Sequence, residues 1–353
     1  MMILKEITDK KNWNTIVNTF DLTDIYFTYD YFTPFKNNGD GEPILYYYQS
    51  DDGKVAYPFM YRDVAKDKKL AGKVKENLYF DISSVYGYGG PLFQVNEPDG
   101  NLEQLKTDFF EDFTEYCHQK NIISQFDRFH PLMDNHLFFD QHCDLSAVRK
   151  TIYMDLSDPE EMKRNLEHNC RNKIKQAEKN GVSVIVGDDF NTLKDFKELY
   201  KTTMQHNSAV DYYYFNEAFF DDTLNSMKDH ILLVNAYFEE VIIASALILF
   251  YGNHVHNLFS GSNRECNRLK PNNLLFYEIA KWGSANGYKK YHLGGGYESD
   301  VDSLYKFKKS FSKLDPTNFY IGKKIYDPEI YHHLLELENN DESIDNHYFP
   351  QYR

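Results

Sequence analysis

The chain has 353 residues, enough for two separate cores, because a single core stops growing near ~250–300 residues. Hydrophobic residues make up 42% and aromatics 16%, which excludes a disordered chain. With 39 Lys and Arg against 54 Asp and Glu the formal charge is −15, so the basic footprint of a protein that grips nucleic acid by its phosphates is absent, and no DNA partner is expected.

The 29 Tyr and 27 Phe reflect either a compositional bias of the source or enrichment at a binding site. Cys117, Cys143, Cys170 and Cys266 form no CxxC pair. Neither structural zinc nor a disulfide framework is expected, no metal site is assigned, and a reducing compartment fits. The opening MMILKEITDKKNWN lacks an apolar core, so no signal peptide is expected. The longest apolar run, Val241–Tyr251, is shorter than the ~20 residues a bilayer span needs. These features predict a soluble, cytoplasmic protein without an integral membrane span.

In chain order, Ile44–Gln49 reads as a strand, Asp51–Asp52–Gly53 as a hairpin turn, and Val55–Tyr61 as the returning strand. Asn77–Gly90 reads as a strand entering a glycine-rich turn. Leu102, Leu105, Phe109, Phe113 and Tyr116 recur at three- and four-residue spacing, which predicts an amphipathic helix over Asn101–Lys120. Ile122–Phe129 is the next strand.

The pattern restarts near residue 150 with the strand Thr151–Leu156. Ser157 begins a cap with Pro159 and acids in the first turn, and one helix is expected from there to Gly181, a suitable C′ glycine. A strand (VSVIVG), a helix (Asn191–His206) and a helix from about Asn216 follow. The strands Ile231–Phe238 and Val241–Tyr251 meet at a tight turn, and His254–Ser260 is a third. After SNRECNRLKPNN come a helix over Leu274–Asn286, a strand (YKKYHLGGG), a helix near Asp302–Phe311, and a last strand, Asn318–Ile325. The acidic stretch ENNDESIDN predicts a loosely ordered tail. No repeat of 20–50 residues occurs.

Four segments carry a resemblance: YGYGGPL (Tyr86–Leu92) with FDRFHP (Phe126–Pro131); RNKIKQAEKNGV (Arg171–Val182); SGSNRECNRLKPNNLL (Ser260–Leu275); and YHLGGGYESDVDSLYKFKKSF (Tyr291–Phe311). Together they resemble the Fem-type (FemABX-like) transferases of the GNAT acyltransferase superfamily, over about residues 25–330. The resemblance implies an α/β (α+β) fold of two tandem GNAT-like domains, each a mixed central sheet flanked by helices. The expected limits are 1–149 and 150–326, with the tail 327–353 joining the first domain. The second domain would carry the acyl-transfer site. The long charged heptad arm of some Fem-type enzymes has no counterpart here.

Acyl transfer to an amine needs a neutral amine, an oxyanion stabiliser and a proton donor for the leaving group. In the Fem-type pattern the first lysine of F-K-K-x-F, here Lys308, is expected in the site; Lys309 is the alternative, and both are otherwise solvated lysines. Gly294, Gly295 and Gly296 either let backbone approach a ligand closely or make a tight turn. Glu298, Asp300 and Asp302 are candidate bases or parts of a solvated loop, with Asp302 as a helix cap. Tyr213 is a candidate acid, with His206 and Tyr212 beside it in a segment that otherwise packs on the core.

Arg264 stands where a coenzyme A pyrophosphate loop of the form R/Q-x-x-G-x-G/A would begin, but Asn267 and Leu269 occupy the glycine positions. Arg264, Arg268 and Lys270 could still meet a phosphate. Arg171, Lys175 and Lys179 share one helix face, either solvated or facing a pyrophosphate. In the first domain Tyr86, Tyr88, Gly89, Arg128 and His130 are the substrate-binding candidates, with His130 equally readable as structural. Arg62 and Lys36 are weaker candidates for an anionic acceptor.

These residues point to a transferase that moves an aminoacyl or acyl group to an amine of a cell-envelope precursor. Its donor would be aminoacyl-tRNA or acyl-CoA, with no tightly bound cofactor. Transient contact with the tRNA acceptor end and peripheral contact with a lipid-linked precursor are compatible with this reading. An acyl-CoA-dependent N-acetyltransferase of an amino sugar or other small amine is one alternative. A non-catalytic binder that retains the fold is another.

Overall fold

The computed structural model describes residues 5–187, 189–297, 300–338 and 349–353. The chain divides into two compact units. One comprises Met1–Val148 with Phe319–Arg353, the other Arg149–Asn318. The sequence placed the second limit at about residue 326; the division falls after Asn318.

The first unit opens with β1 (Glu6–Ile7), α1 (Lys10–Val17), α2 (Tyr29–Asn37), β2 (Glu42–Gln49), β3 (Gly53–Asp63), β4 (Phe80–Ser83), β5 (Leu92–Val95), α3 (Leu102–Gln119) and β6 (Ile122–Arg128). The Asn101 side chain accepts the N–H groups of Glu103 and Gln104 and so starts α3. The apolar stripe then buries Leu105, Phe109, Phe113 and Tyr116 against Tyr46, Tyr57 and Phe59 of the sheet. At ~25 cal/mol per Å² of apolar surface this aromatic core is the main stabilising term of the unit.

The second unit runs through β7 (Asp144–Asp155), α4 (Pro159–Asn165), α5 (His168–Lys179), β8 (Ser183–Gly187), α6 (Leu193–His206), α7 (Glu217–Met227), β9 (Ile231–Phe238), β10 (Val241–Tyr251), β11 (His254–Ser262), α8 (Pro271–Ala285), β12 (Lys290–Gly294) and α9 (Ser303–Lys309). The strand order is β7-β12-β11-β10-β9-β8, with β11 and β12 parallel. The chain then returns through β13 (Thr317–Ile325) to α10 (Pro328–Glu338). In the first unit the order is β1-β2-β3-β4-β6-β13, with β5 on β3 and with β4 and β6 parallel.

One expectation is corrected here. The helix expected from Ser157 to Gly181 is two helices, and its cap is Asp158, whose carboxylate accepts from Glu160 and Glu161 N–H. Leu166 and Glu167 are extended between them, with ψ of 140° and 151°. Packing decides the break. Leu166 is buried, Glu167 N–H donates to Ser310 O, and Lys313 N–H donates to Asn165 O. Helix α10 was not assigned from sequence: Tyr331 and Leu334 pack with Val64, Leu70, Ile123 and Tyr352. Beyond Glu338 the acidic stretch lies outside the described residues.

Candidate functional site

In the second unit β11 and β12 pair over only three registers, His254↔Lys290, Val255↔Tyr291 and His256↔His292. A bulge then shifts β11 against β10 between Leu247 and Ile248. Beyond His256 and His292 no further register pairs β11 with β12, and the two strands form a fork, past which Ser262 N–H donates to Thr203 Oγ1 and Gly295 O accepts from Lys308 Nζ. Asn257 sits at the fork, and its Oδ1 is buried with no hydrogen-bond partner among the described residues. The sequence reading missed Asn257, because nothing local marks a strand residue beside a bulge.

The glycine triplet follows β12 directly. Gly294 has φ +78°, a conformation that favours glycine. A Cβ on Gly295 would lie 2.9 Å from Lys150 O and 3.3 Å from the Arg149 side chain. Close approach here is between protein backbones. Gly296 is half-buried beside it.

Lys308, on α9, is 9% exposed, and its Nζ donates to Gly295 O at 2.8 Å. Burial pushes its ammonium down to about 8, with Arg149 acting the same way and Asp302 opposing. An ammonium has three N–H groups, and one of them is fixed by Gly295. A lysine tuned toward neutral pH can donate a proton or stabilise a developing oxyanion.

The other candidates of this unit fall in several places. Asp302 caps α9: its Oδ1 accepts Tyr305 N–H at 2.8 Å and its Oδ2 accepts Tyr297 N–H at 2.6 Å. Both oxygens serve the backbone, which is the geometry of a cap. Asp300 Oδ1 accepts Lys150 N–H at 2.8 Å, and Glu298 lies outside the described residues. Lys309 turns back onto Ser312 O at 2.6 Å and Leu314 O at 3.3 Å, closing its own helix end.

Tyr213 is half-buried, and its main-chain oxygen accepts from Tyr200 Oη at 3.0 Å. Tyr212 and His206 are exposed. Arg264 is exposed and donates to Asn207 Oδ1 at 2.8 Å. Its loop is wound as a 3-10 turn, Arg264–Leu269, in which the N–H groups of Cys266 and Lys270 donate to Asn263 O and Asn267 O. Those donors are consumed inside the loop, so they do not form a phosphate cradle. Arg171 Nη1 donates to Leu166 O at 2.5 Å and Arg164 O at 3.4 Å, closing the end of α4.

In the first unit the candidates form one cluster. Gly89 N–H donates to Arg128 O at 2.7 Å, and His130 N–H donates to Gly89 O at 3.1 Å. Tyr88 packs edge-on to His130, Tyr26 and Phe319. The Arg128 guanidinium lies over Phe126, 4.7 Å from the ring centre. Tyr86 O accepts from Tyr31 Oη at 2.8 Å. His130 Nδ1 accepts Leu132 N–H, which leaves the proton on Nε2, 3.3 Å from Asp24 Oδ2. His130 and Asp24 are both fully buried. Asp24, Tyr26 and Tyr31 were not singled out from sequence; they join the cluster through a segment without periodicity. Arg62 and Lys36 are engaged by Asp81 at 2.6 Å and Glu42 at 2.8 Å.

Residues 164–309 match the family model described as an acetyltransferase (GNAT) domain. No curated protein sequence matches the chain. Among solved structures, FemX is 14% identical, with a TM-score of 0.67 over 94% of this chain and 99% of that one. A conserved protein of unknown function from Bacteroides thetaiotaomicron is 10% identical, with a TM-score of 0.57 over 91% and 99%. L-PGS from Bacillus licheniformis is 13% identical, with a TM-score of 0.54 over 95% and 98%. The chain has a FemX-like fold, carries a GNAT acetyltransferase domain over residues 164–309 and is an acyltransferase. Its GNAT domain implies an acyl-CoA donor in general and a small acceptor. Among the described residues no helix is long and apolar enough to cross a membrane.

Proposed function

We propose that this chain is a Fem-type N-acyltransferase that moves an aminoacyl or acyl group onto an amine of a cell-envelope precursor. The observation that carries this reading is the buried Lys308, held by Gly295 O and tuned to about 8. The neutral acceptor amine attacks the acyl carbonyl and forms a tetrahedral oxyanion. The bond to the leaving sulfur or ribose oxygen then breaks. Lys308 stabilises the oxyanion and supplies the leaving group's proton, which the new ammonium centre returns. The fork between β11 and β12 is the place for the acyl chain, with Asn257 Oδ1 as an acceptor for a donor N–H.

Donor choice follows from the loop before α8. Its Glu265, Cys266 and Lys270 amides are internally bonded and Arg264 is paired with Asn207, which favours a donor that does not rely on a pyrophosphate cradle there. Aminoacyl-tRNA is such a donor. Acyl-CoA, the general donor of the domain, is the second reading, supported by the fork itself.

The test is thermal-shift binding of the purified protein to acetyl-CoA, longer acyl-CoAs and a UDP-sugar-peptide precursor, followed by transfer assays with charged tRNA. A ligand at 100 times its Kd adds ~2.7 kcal/mol of stability. A shift with the precursor, and product only with charged tRNA, supports the Fem-type reaction. Product formed from an acyl-CoA and a free amino sugar overturns it in favour of the second reading.

A further inference from the structure

The junction between α4 and α5 carries charge that acyl transfer does not use. A groove of about 470 Å³ is lined by Glu160, Lys163, Arg164, Arg171 and Lys313. It gathers four cations around one carboxylate in a chain whose formal charge is −15. Two of the cations are pre-positioned. Arg171 Nη1 donates to Leu166 O and Arg164 O, and Lys313 Nζ donates to Arg164 O at 2.8 Å. These are carbonyls that α4 leaves at its C-terminal end, where cations are favoured.

This capping leaves donors over. A guanidinium has five N–H groups and an ammonium three. Among the described residues, Arg171 and Lys313 make no side-chain hydrogen bond beyond those to Arg164 O and Leu166 O. Lys163 adds an exposed charge from the same turn. Among the described residues the Arg164 side chain forms its ion pair with Glu161, the two side chains being 65% and 56% exposed; such a pair is worth little and opens readily. Beyond the groove Lys175 and Lys179 continue the row of Arg171 along α5, both exposed. Capping one short helix does not require so many cations.

We propose that this groove binds a phosphate or diphosphate group, carried by a soluble diphosphate ester or by a lipid headgroup. Arg171 and Lys313 supply fixed donors at its base, and Lys163 and Arg164 close over the anion. A UDP-sugar precursor is one such diphosphate ester, but the test reads anion binding alone, so failure of the transfer reaction and failure of this inference are distinguishable.

The experiment uses the full chain and inorganic pyrophosphate as probe, measured by calorimetry at 50 and 200 mM salt. Lys163→Glu/Arg164→Glu is the main variant, since neither side chain contacts a main-chain carbonyl. Pyrophosphate binding should weaken at least tenfold in that variant and fall with salt, while the melting temperature without ligand stays within a few degrees. If the double reversal perturbs folding, Lys163→Gln alone should still weaken binding severalfold. UDP and vesicles of phosphatidylglycerol against phosphatidylcholine then distinguish the soluble from the lipid source. Equal binding by wild type and variant, or none by wild type, overturns the proposal and leaves these cations as helix caps only.

Discussion

Lys308 Nζ donates a 2.8 Å hydrogen bond to the main-chain oxygen of Gly295, thirteen residues earlier in the chain. The bond joins α9 to the glycine-rich end of β12. It fixes one ammonium N–H and holds the lysine where burial brings it down to about 8.

If the protonated lysine acts in the transition state, kcat should fall as pH rises through about 8. Lys308→Ala should lose about 10²–10³ in kcat. Stability should move the other way. Because the folded value lies below the ordinary 10.5, the unfolded chain binds the extra proton between pH 8 and 10.5. Wild type should therefore gain about 3 kcal/mol relative to Lys308→Met across that window. Denaturant unfolding at pH 7.5 and 10.5 checks the second point, and a flat difference would show that Lys308 is not desolvated.

Gly295→Ala places a Cβ 2.9 Å from Lys150 O, and backbone must give way. The carbonyl that holds Lys308 moves with it. A tenfold or larger fall in kcat is expected, with a modest loss in Tm. Gly181, at φ +83° and with no atom within 4 Å of its Cβ position, is the contrast. Gly181→Ala should cost about 1 kcal/mol of stability and leave kcat unchanged.

Arg264→Ala removes the contact to Asn207. Acetyl-CoA affinity, measured by calorimetry, should change less than threefold. A tenfold loss would restore a pyrophosphate role to that loop.

Asp127 is buried and accepts from Tyr57 Oη at 2.7 Å, Ser84 Oγ at 3.2 Å and Gln125 Nε2 at 2.5 Å. Burial outweighs these bonds and pushes its carboxyl up to about 6. A raised carboxyl contributes most below the unfolded value of 3.8, and the contribution fades as pH rises to about 6. Relative to Asp127→Asn, wild type should lose about 3 kcal/mol over that window. Urea unfolding of both proteins at pH 4 and pH 7 measures it.

Asp81 shows the opposite balance. Burial alone would raise it, but Arg62 at 2.6 Å and Arg353 at 2.5 Å hold it below the usual carboxylate range. Its contribution is present above 3.8 and is lost as pH falls further. Arg353→Met leaves a buried charge half-compensated and should cost about 3–5 kcal/mol. A change below 1 kcal/mol in urea unfolding would show that Arg62 alone suffices.

Much of the fold was legible because its signals are local. The α3 stripe, the β9–β10 hairpin and the closing Gly181 depend on residues a few positions apart. The Fem-type resemblance likewise rests on contiguous segments, and Lys308 lies within one of them. The break at Leu166 was not legible, since KRNLEHN is an acceptable helical sequence. Ser310 O and Asn165 O decide it from opposite sides of a long chain interval. Helix α10 was not legible for the same reason: Tyr331 and Leu334 become core residues only once Val64, Leu70 and Ile123 meet them.

The sequence by itself determined the element types, the acidic balance and the segment that holds the candidate lysine, because propensity, capping and periodicity act within a turn or two. The tertiary structure alone decided which contacts the charged and polar candidates make. It gave Arg171 to the end of α4, Lys309 to its own helix end, Asp302 to a cap and Arg264 to Asn207. It also shifted Lys308 toward neutrality, since desolvation depends on what packs around a side chain and not on its neighbours in the chain.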